Sequence, residues 1–162
     1  MKKVGIVMGS DSDLPVIQKA TDLLRELEIP FEVHVYSAHR TPVQAHDFAA
    51  GARDAGFGVL IAAAGMAAHL AGAIAANTTL PVIGIPCKGP ALEGLDALLS
   101  TVQMPSGIPV ATVGINNGAN AALLAAQILS VEDGALAGRL KQKRAADAAK
   151  VLEKDAGIAE RL

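Results

Sequence analysis

The chain has 162 residues, 51% of them hydrophobic, and a formal charge of −2 from 14 Lys and Arg against 16 Asp and Glu. These values fit one domain with a substantial core, and the scattered basic residues argue against nucleic acid as a partner. A single cysteine, Cys87, excludes an internal disulfide. The apolar stretch after Met1-Lys2-Lys3 is too short for a signal peptide or membrane span. We therefore expect a cytoplasmic protein without membrane partners.

Short apolar runs alternate with amphipathic segments along the whole chain. Runs of branched residues predict buried strands, whereas apolar residues spaced by three or four predict helices. In chain order the pattern predicts a strand at 4–8, a helix opening at 13–15 with Ser12 or Asp13 as its cap, a half-buried strand at 31–36 and a helix from 41 to about 56. It then predicts a strand at 59–63, a helix at 67–77, a strand at 81–85, a helix at 95–102, a strand at 110–113, a helix at about 119–130 and a charged helix from 133 to near 154.

This alternation indicates β-α-β units with right-handed crossovers and a parallel sheet. Five such strands predict an α/β fold, a three-layer flavodoxin-like sheet forming a single domain over residues 1–162. Residues 133–162 follow the last strand and predict a C-terminal helical extension that packs on the body or on a neighbouring subunit. Aromatic residues are only 2% of the chain, and large exposed alanine and leucine faces would favour a homo-oligomer.

Polar residues cluster in three segments that each follow a predicted strand, at 9–13, 37–40 and 64–69. Carboxyl ends of parallel strands share one edge of the sheet, so the three segments can converge on one crevice. In the first, the Ser10 and Ser12 hydroxyls join the free N–H groups of a helix start, which is typical of a phosphate cradle but also of an ordinary cap. Asp13 would repel a phosphate, so it suits hydrogen bonds from sugar hydroxyls.

The second segment pairs His39 with Arg40. An arginine can hold a phosphate through two hydrogen bonds, and an imidazole can exchange protons near neutral pH. The alternative is a surface histidine beside a solvated arginine. In the third segment, small residues such as Ala64 and Gly65 would let backbone N–H groups approach a carboxylate or carbon dioxide, or would simply allow tight packing. His69 could face the same crevice.

Metal and thiol chemistry have little support in the sequence. No two histidines have metal-ligand spacing and no Cys-x-x-Cys occurs, so we expect no metal site. A small buried thiol after a strand is commonplace, which makes Cys87 a weak candidate nucleophile.

Several stretches together match a known family. They are 8–13, 37–42, 64–70, 80–84, 94–100, 102–112 and 120–129. In this order they resemble the N5-carboxyaminoimidazole ribonucleotide mutases of de novo purine synthesis, class I of the bacterial PurE family, over about residues 4–130. The resemblance implies a flavodoxin-like homo-octamer with active sites shared between subunits. It also implies that the carboxylate moves from N5 to C4 of aminoimidazole ribonucleotide by decarboxylation and recarboxylation, without ATP, metal or organic cofactor.

By motif position, the resemblance implies that His39 is the general acid–base group. It implies that Ser10, Asp13 and Arg40 bind the nucleotide, with Ser12 and Ser37 close by. Ala64, Gly65, His69 and Leu70 lie in the third matching stretch and complete the candidate substrate-binding set. Three segments depart from the family pattern. Met66 stands in a loop that is usually glycine-rich, where it could narrow the carboxylate pocket. Residues 87–90 replace a segment that usually contains serine, and 114–118 form a segment shorter than usual.

Three other functions remain possible at this point. A related animal-type group carboxylates aminoimidazole ribonucleotide directly, but its segment reads Ser-Ala-His-Lys-Gly-Pro, so 40–42 favour the mutase. A flavin carrier on the same fold would stack its flavin on aromatic rings, and only Tyr36 lies near a candidate loop. The third alternative is a sensor that binds a nucleotide without catalysing a reaction.

Overall fold

A computed structural model describes residues 1–158 of the chain. Its five strands form one parallel sheet in the order β2-β1-β3-β4-β5, which is the flavodoxin-like order and confirms the predicted fold class. The strands are β1 Lys3–Met8, β2 Phe31–Val35, β3 Phe57–Gly65, β4 Val82–Cys87 and β5 Ala111–Thr112. The helices are α1 Leu14–Glu26, α2 Pro42–Gly51, α3 Leu70–Ala75, α4 Leu95–Val102, α5 Gly118–Ser130 and α6 Gly134–Ala156.

The sheet is buried on both faces because successive side chains of its central strands enter different cores. In β3, Val59 and Ile61 pack with α1 and α5, whereas Leu60 and Ala62 pack with α2 and α3. All four side chains are at most 1% exposed. This two-sided burial explains why the central strands have uninterrupted apolar sequences instead of an alternating pattern.

Several element boundaries differ from the sequence predictions. Helix α2 ends at Gly51 and not near Gly56, because a turn follows in which Gly56 takes the left-handed conformation at φ 86°. Helix α3 is shorter than predicted and β3 is longer at both ends. The half-buried strand predicted at 31–36, with Val35 among its apolar positions, forms β2. Val35 is nevertheless 49% exposed, since β2 is an edge strand with only β1 beside it.

The first half of α6 packs on the body of the protein. Leu136 is fully buried, Arg139 Nε donates to the Leu27 carbonyl at 2.9 Å, and Lys143 Nζ lies 3.4 Å from the Glu26 carboxylate. The second half of the helix is exposed, including Val151 and Leu152. The last residues of the predicted extension, 159–162, lie outside the described residues. Within residues 1–158, no helix is both long and apolar enough to cross a membrane.

We expect Gly118→Ala to destabilise the fold by about 1–3 kcal/mol, the usual cost of overpacking. A Cβ atom at Gly118 would lie 2.1 Å from the Val16 carbonyl oxygen, so α5 would have to move away from α1. Gly138→Ala in α6 is the matched control, since its Cβ would meet nothing within 4 Å and alanine favours the helix. Urea unfolding of both variants measures the difference, and equal stabilities would contradict the close α1–α5 contact.

Candidate functional site

A cleft of about 490 Å³ opens at the carboxyl edge of the sheet, above β1 and β3. The chain order changes direction between these two strands, and ligands of open α/β folds bind at such a switch point. Loops that follow β1, β2, β3 and β4 form the walls. All ten candidate residues line the cleft: Ser10, Ser12, Asp13, Ser37, His39, Arg40, Ala64, Gly65, His69 and Leu70.

The loop after β1 is shaped by Ser10. Its extended backbone begins a 3-10 turn over Asp11–Asp13, and its Oγ accepts hydrogen bonds from the Ser12 backbone N–H at 3.3 Å and the Ser12 hydroxyl at 2.9 Å. The predicted cap position is confirmed for Asp13, which is the residue before α1, although its side chain makes no capping hydrogen bond. The side-chain cap is made by Ser10 at the start of the preceding 3-10 turn.

Asp13 lies against Cys87 at the base of the cleft. Burial raises the pKa of Asp13 above its ordinary value of 3.8, although hydrogen bonds from the Cys87 thiol and the Ser10 backbone oppose this. Burial, together with the Asp13 charge and hydrogen bond, raises the pKa of Cys87 to about 12. Cys87 is also only 2% exposed. A thiol in this environment stays protonated at neutral pH, which argues against Cys87 as a nucleophile.

We expect Asp13→Asn to raise the free energy of unfolding at neutral pH. Because the folded state raises the pKa of this carboxyl group, folding is favoured by its protonated form, and that contribution is lost as pH rises from 3.8 through the folded value. The asparagine variant should therefore gain stability over the parent only above this window. Urea unfolding at neutral pH and below pH 3.8 tests this, with the exposed Asp54→Asn as the control for losing one charge. A variant that is less stable than the parent at neutral pH would contradict it.

The loop after β2 is held by a network centred on Ser37. Its Oγ accepts hydrogen bonds from the backbone N–H groups of His39 at 3.3 Å and Arg40 at 3.2 Å. The Thr41 hydroxyl accepts from the Ser37 N–H at 2.8 Å. The Arg40 side chain reaches the loop after the neighbouring strand β1, where its Nη2 donates to the Gly9 carbonyl at 2.7 Å. The guanidinium thus ties the β2 loop to the β1 loop, and its position is fixed by both.

Two histidines meet at the mouth of the cleft. His39 Nε2 lies 3.1 Å from His69 Nδ1, and the two rings are nearly perpendicular with centroids 5.2 Å apart. In this contact one ring nitrogen must donate and the other accept, so each ring fixes the orientation of the other. Both side chains are exposed, which leaves room for a ligand to contact them. His69 thus lines the same crevice as His39.

The sequence marked 87–90 as a departure from the family pattern but predicted no lining residue from this loop, which follows β4. Lys88, Gly89 and Pro90 complete the cleft wall beside Met66. Met66 takes the left-handed conformation at φ 51° and is 61% exposed, so its side chain lies at the rim instead of filling the floor. The floor is formed in part by Leu70, which is only 2% exposed. The signal available in the sequence was that Lys88 lies shortly after the strand predicted at 81–85.

Tyr36, the aromatic residue near a candidate loop in the sequence, does not line the cleft. It stacks instead on His34, with ring centroids 5.0 Å apart. No Phe, Tyr or Trp is among the residues that line the cleft. In the part of the chain that the structure describes, no group of three or more His, Cys, Asp or Glu side chains could hold a metal ion.

The fold and the cleft define an α/β protein of flavodoxin-like topology with a polar small-molecule site at the carboxyl edge of its sheet. The family model described as AIR carboxylase matches residues 3–150. The chain belongs to this family.

Named relatives and a solved structure support the same placement. The chain is 56% identical over 144 residues to the N5-carboxyaminoimidazole ribonucleotide mutase of Pyrococcus abyssi, covering 89% of this chain and 83% of that protein. It is 53% identical over 152 residues to the mutase of the same name from Bacillus subtilis, covering 93% and 94%. The crystal structure of Treponema denticola PurE matches with a TM-score of 0.81 at 30% identity, covering 94% of this chain and 96% of that one.

Proposed function

We propose that the protein is an N5-carboxyaminoimidazole ribonucleotide mutase of de novo purine biosynthesis, which moves the carboxylate from N5 to C4. The observation that carries this proposal is the meeting of an acid–base group, His39, and a fixed cation, Arg40, over the loop at 9–13 in one cleft. The names of the relatives given above support the substrate and the reaction. A cleft of about 490 Å³ also falls in the size range of small-ligand sites.

Each group of the ribonucleotide has a chemically suitable neighbour in this cleft. The Ser10 and Ser12 hydroxyls suit the phosphate because they are donors before the start of α1, and the Arg40 guanidinium suits it as a cation held beside them. The Asp13 carboxylate suits the ribose hydroxyls as an acceptor. Ala64 and Gly65 suit the carboxylate, since their small side chains leave the backbone accessible.

His39 would act first as an acid and then as a base. The protonated imidazole delivers its proton to N5 while the N5–carboxylate bond breaks and carbon dioxide leaves. The ring carbon C4 then attacks the trapped carbon dioxide, and His39 removes the C4 proton to restore the aromatic ring. The proton count balances, and the electron-rich ring supplies the electrons for the new bond. We therefore propose that no ATP, metal or organic cofactor takes part. His69 would hold the His39 imidazole through the 3.1 Å contact.

Incubating the protein with N5-carboxyaminoimidazole ribonucleotide, without ATP or added metal, tests the reaction. We expect the C4-carboxylated isomer to form. A parallel incubation with aminoimidazole ribonucleotide and bicarbonate tests the direct carboxylase, and turnover of that substrate alone would overturn the mutase assignment. A flavin carrier would be coloured when purified, and a sensor would bind the nucleotide without converting it.

We also propose a cytoplasmic homo-octamer with active sites near subunit boundaries. An exposed apolar row on one side of α4 supports assembly, with Leu95, Leu99 and Val102 between 46% and 51% exposed. Light scattering in solution should give a mass about eight times 16.5 kDa. A monomer at micromolar concentration would contradict the proposed octamer but not the proposed reaction.

A further inference from the structure

We propose that Lys88 is a substrate-binding residue that pairs with the migrating carboxylate and is held by Glu93 when the cleft is empty. This inference rests on the proposed function and assigns a further cation to the same site. Among the residues that line the cleft, Arg40 and Lys88 are the two cations other than histidine, and Asp13 is the one carboxylate. A ligand with two anionic groups would therefore find two separate cations.

The two cations stand at opposite ends of the cleft. Arg40 follows β2 and Lys88 follows β4, and two strands, β1 and β3, lie between them. Three strand spacings amount to roughly 14 Å. Arg40 leans inward from its side to the Gly9 carbonyl, which places it over the β1 loop. One cation thus serves the phosphate end of the ligand and the other is free for the end that carries the base.

The carboxylate end of the proposed substrate lies beside Lys88. In the sheet register Gly65 pairs with Cys87, so Lys88 follows directly next to the small-residue loop. The two loops are in close contact, since a Cβ atom on Gly65 would lie 3.4 Å from the Cys87 carbonyl oxygen, and one on Gly89 would lie 3.4 Å from Met66 Cγ. A carboxylate held near Ala64 and Gly65 would come within reach of a flexible lysine at this position.

The Lys88 ammonium can exchange its Glu93 partner for the carboxylate of a ligand. Its backbone is fixed, because its N–H donates to Asn116 Oδ1 at 2.8 Å. Its ammonium pairs with the Glu93 carboxylate, and the two side chains are 53% and 71% exposed. An ion pair this exposed contributes little to stability and is easily replaced. A loosely held cation also suits a carboxylate that must leave as neutral carbon dioxide, since a rigid clamp would oppose the loss of its charge.

Comparing ligands with and without the carboxylate isolates this contact. Binding of the C4-carboxylated ribonucleotide and of aminoimidazole ribonucleotide is measured by calorimetry for the parent protein, Lys88→Gln and Lys88→Arg. We expect Lys88→Gln to weaken binding of the carboxylated ligand about fivefold, the scale of an exposed pair, and to leave the other ligand unchanged. Lys88→Arg keeps the charge and should restore most of the affinity. Lys19→Gln, an exposed lysine on α1, is the matched control.

The outcomes separate this inference from the proposed function. Equal affinities of Lys88→Gln and the parent for both ligands would overturn the role of Lys88 while the mutase assignment stands. Equal weakening for both ligands would also overturn it, because it would place Lys88 at the phosphate. A parent protein that binds neither ligand would contradict the proposed function and remove the basis of the inference with it.

Discussion

His39→Asn is expected to lower the mutase rate by about 10²- to 10⁴-fold, the usual contribution of a general acid–base group. Asparagine keeps a polar group near the imidazole Nδ1 position, but it is too short to reproduce the Nε2 contact with His69, and it cannot release and recover a proton during turnover. Nucleotide affinity should stay within a few-fold of the parent value, because the proposed phosphate contacts come from the serines and Arg40. Single-turnover conversion and calorimetry of the same samples measure the two effects separately.

The matched control is His46→Asn. His46 is exposed on α2, where its Nδ1 lies 3.0 Å from Oδ1 of its neighbour Asp47, and it does not line the cleft. Its replacement should leave both rate and affinity unchanged. Turnover at the parent rate in the His39 variant would remove the proposed acid–base group. A loss of affinity as large as the loss of rate would instead assign His39 to binding.

The sequence was sufficient to predict the sheet because the apolar runs of its central strands can be identified without knowledge of their tertiary contacts. Each is an apolar run that ends near glycine or a polar loop, and burial on both faces makes such a run nearly continuous. The burial of residues in the edge strand was harder to predict. Val35 has the residue type of a buried position but lies at the end of an edge strand, and only the strand order reveals that.

The position of the site was predictable from the same strand pattern. The three loops at 9–13, 37–40 and 64–69 each follow a strand, so a parallel sheet alone brings them to one edge. Lys88 was not predicted as a contact, because its loop contains no polar cluster, and only the described structure shows how closely this loop approaches Met66. Contacts between distant residues, such as Arg40 with the Gly9 carbonyl and Asp13 with Cys87, also depend on the strand order.

Arg40→Gln is expected to weaken binding of the ribonucleotide by about 1.5–3 kcal/mol, roughly 10- to 150-fold, the cost of losing hydrogen bonds to a charged group. The loss should be equal for ligands with and without the carboxylate, because we assign Arg40 to the phosphate that both share. The variant also loses the 2.7 Å bond to the Gly9 carbonyl, which loosens the loop that presents Ser10. Arg40→Lys should recover only part of the affinity, since an ammonium keeps the charge but not the paired donors.

Salt dependence distinguishes an anion contact from a purely structural role of Arg40. In the parent protein, affinity should fall as salt screens the guanidinium and the phosphate, and in Arg40→Gln this dependence should be weaker. Arg53→Gln is the matched control, because Arg53 donates to Thr79 Oγ1 at 3.0 Å and does not line the cleft. If Arg40→Gln lost affinity but kept the full salt dependence, the phosphate would have to be held elsewhere, and Arg40 would serve only to join the two loops.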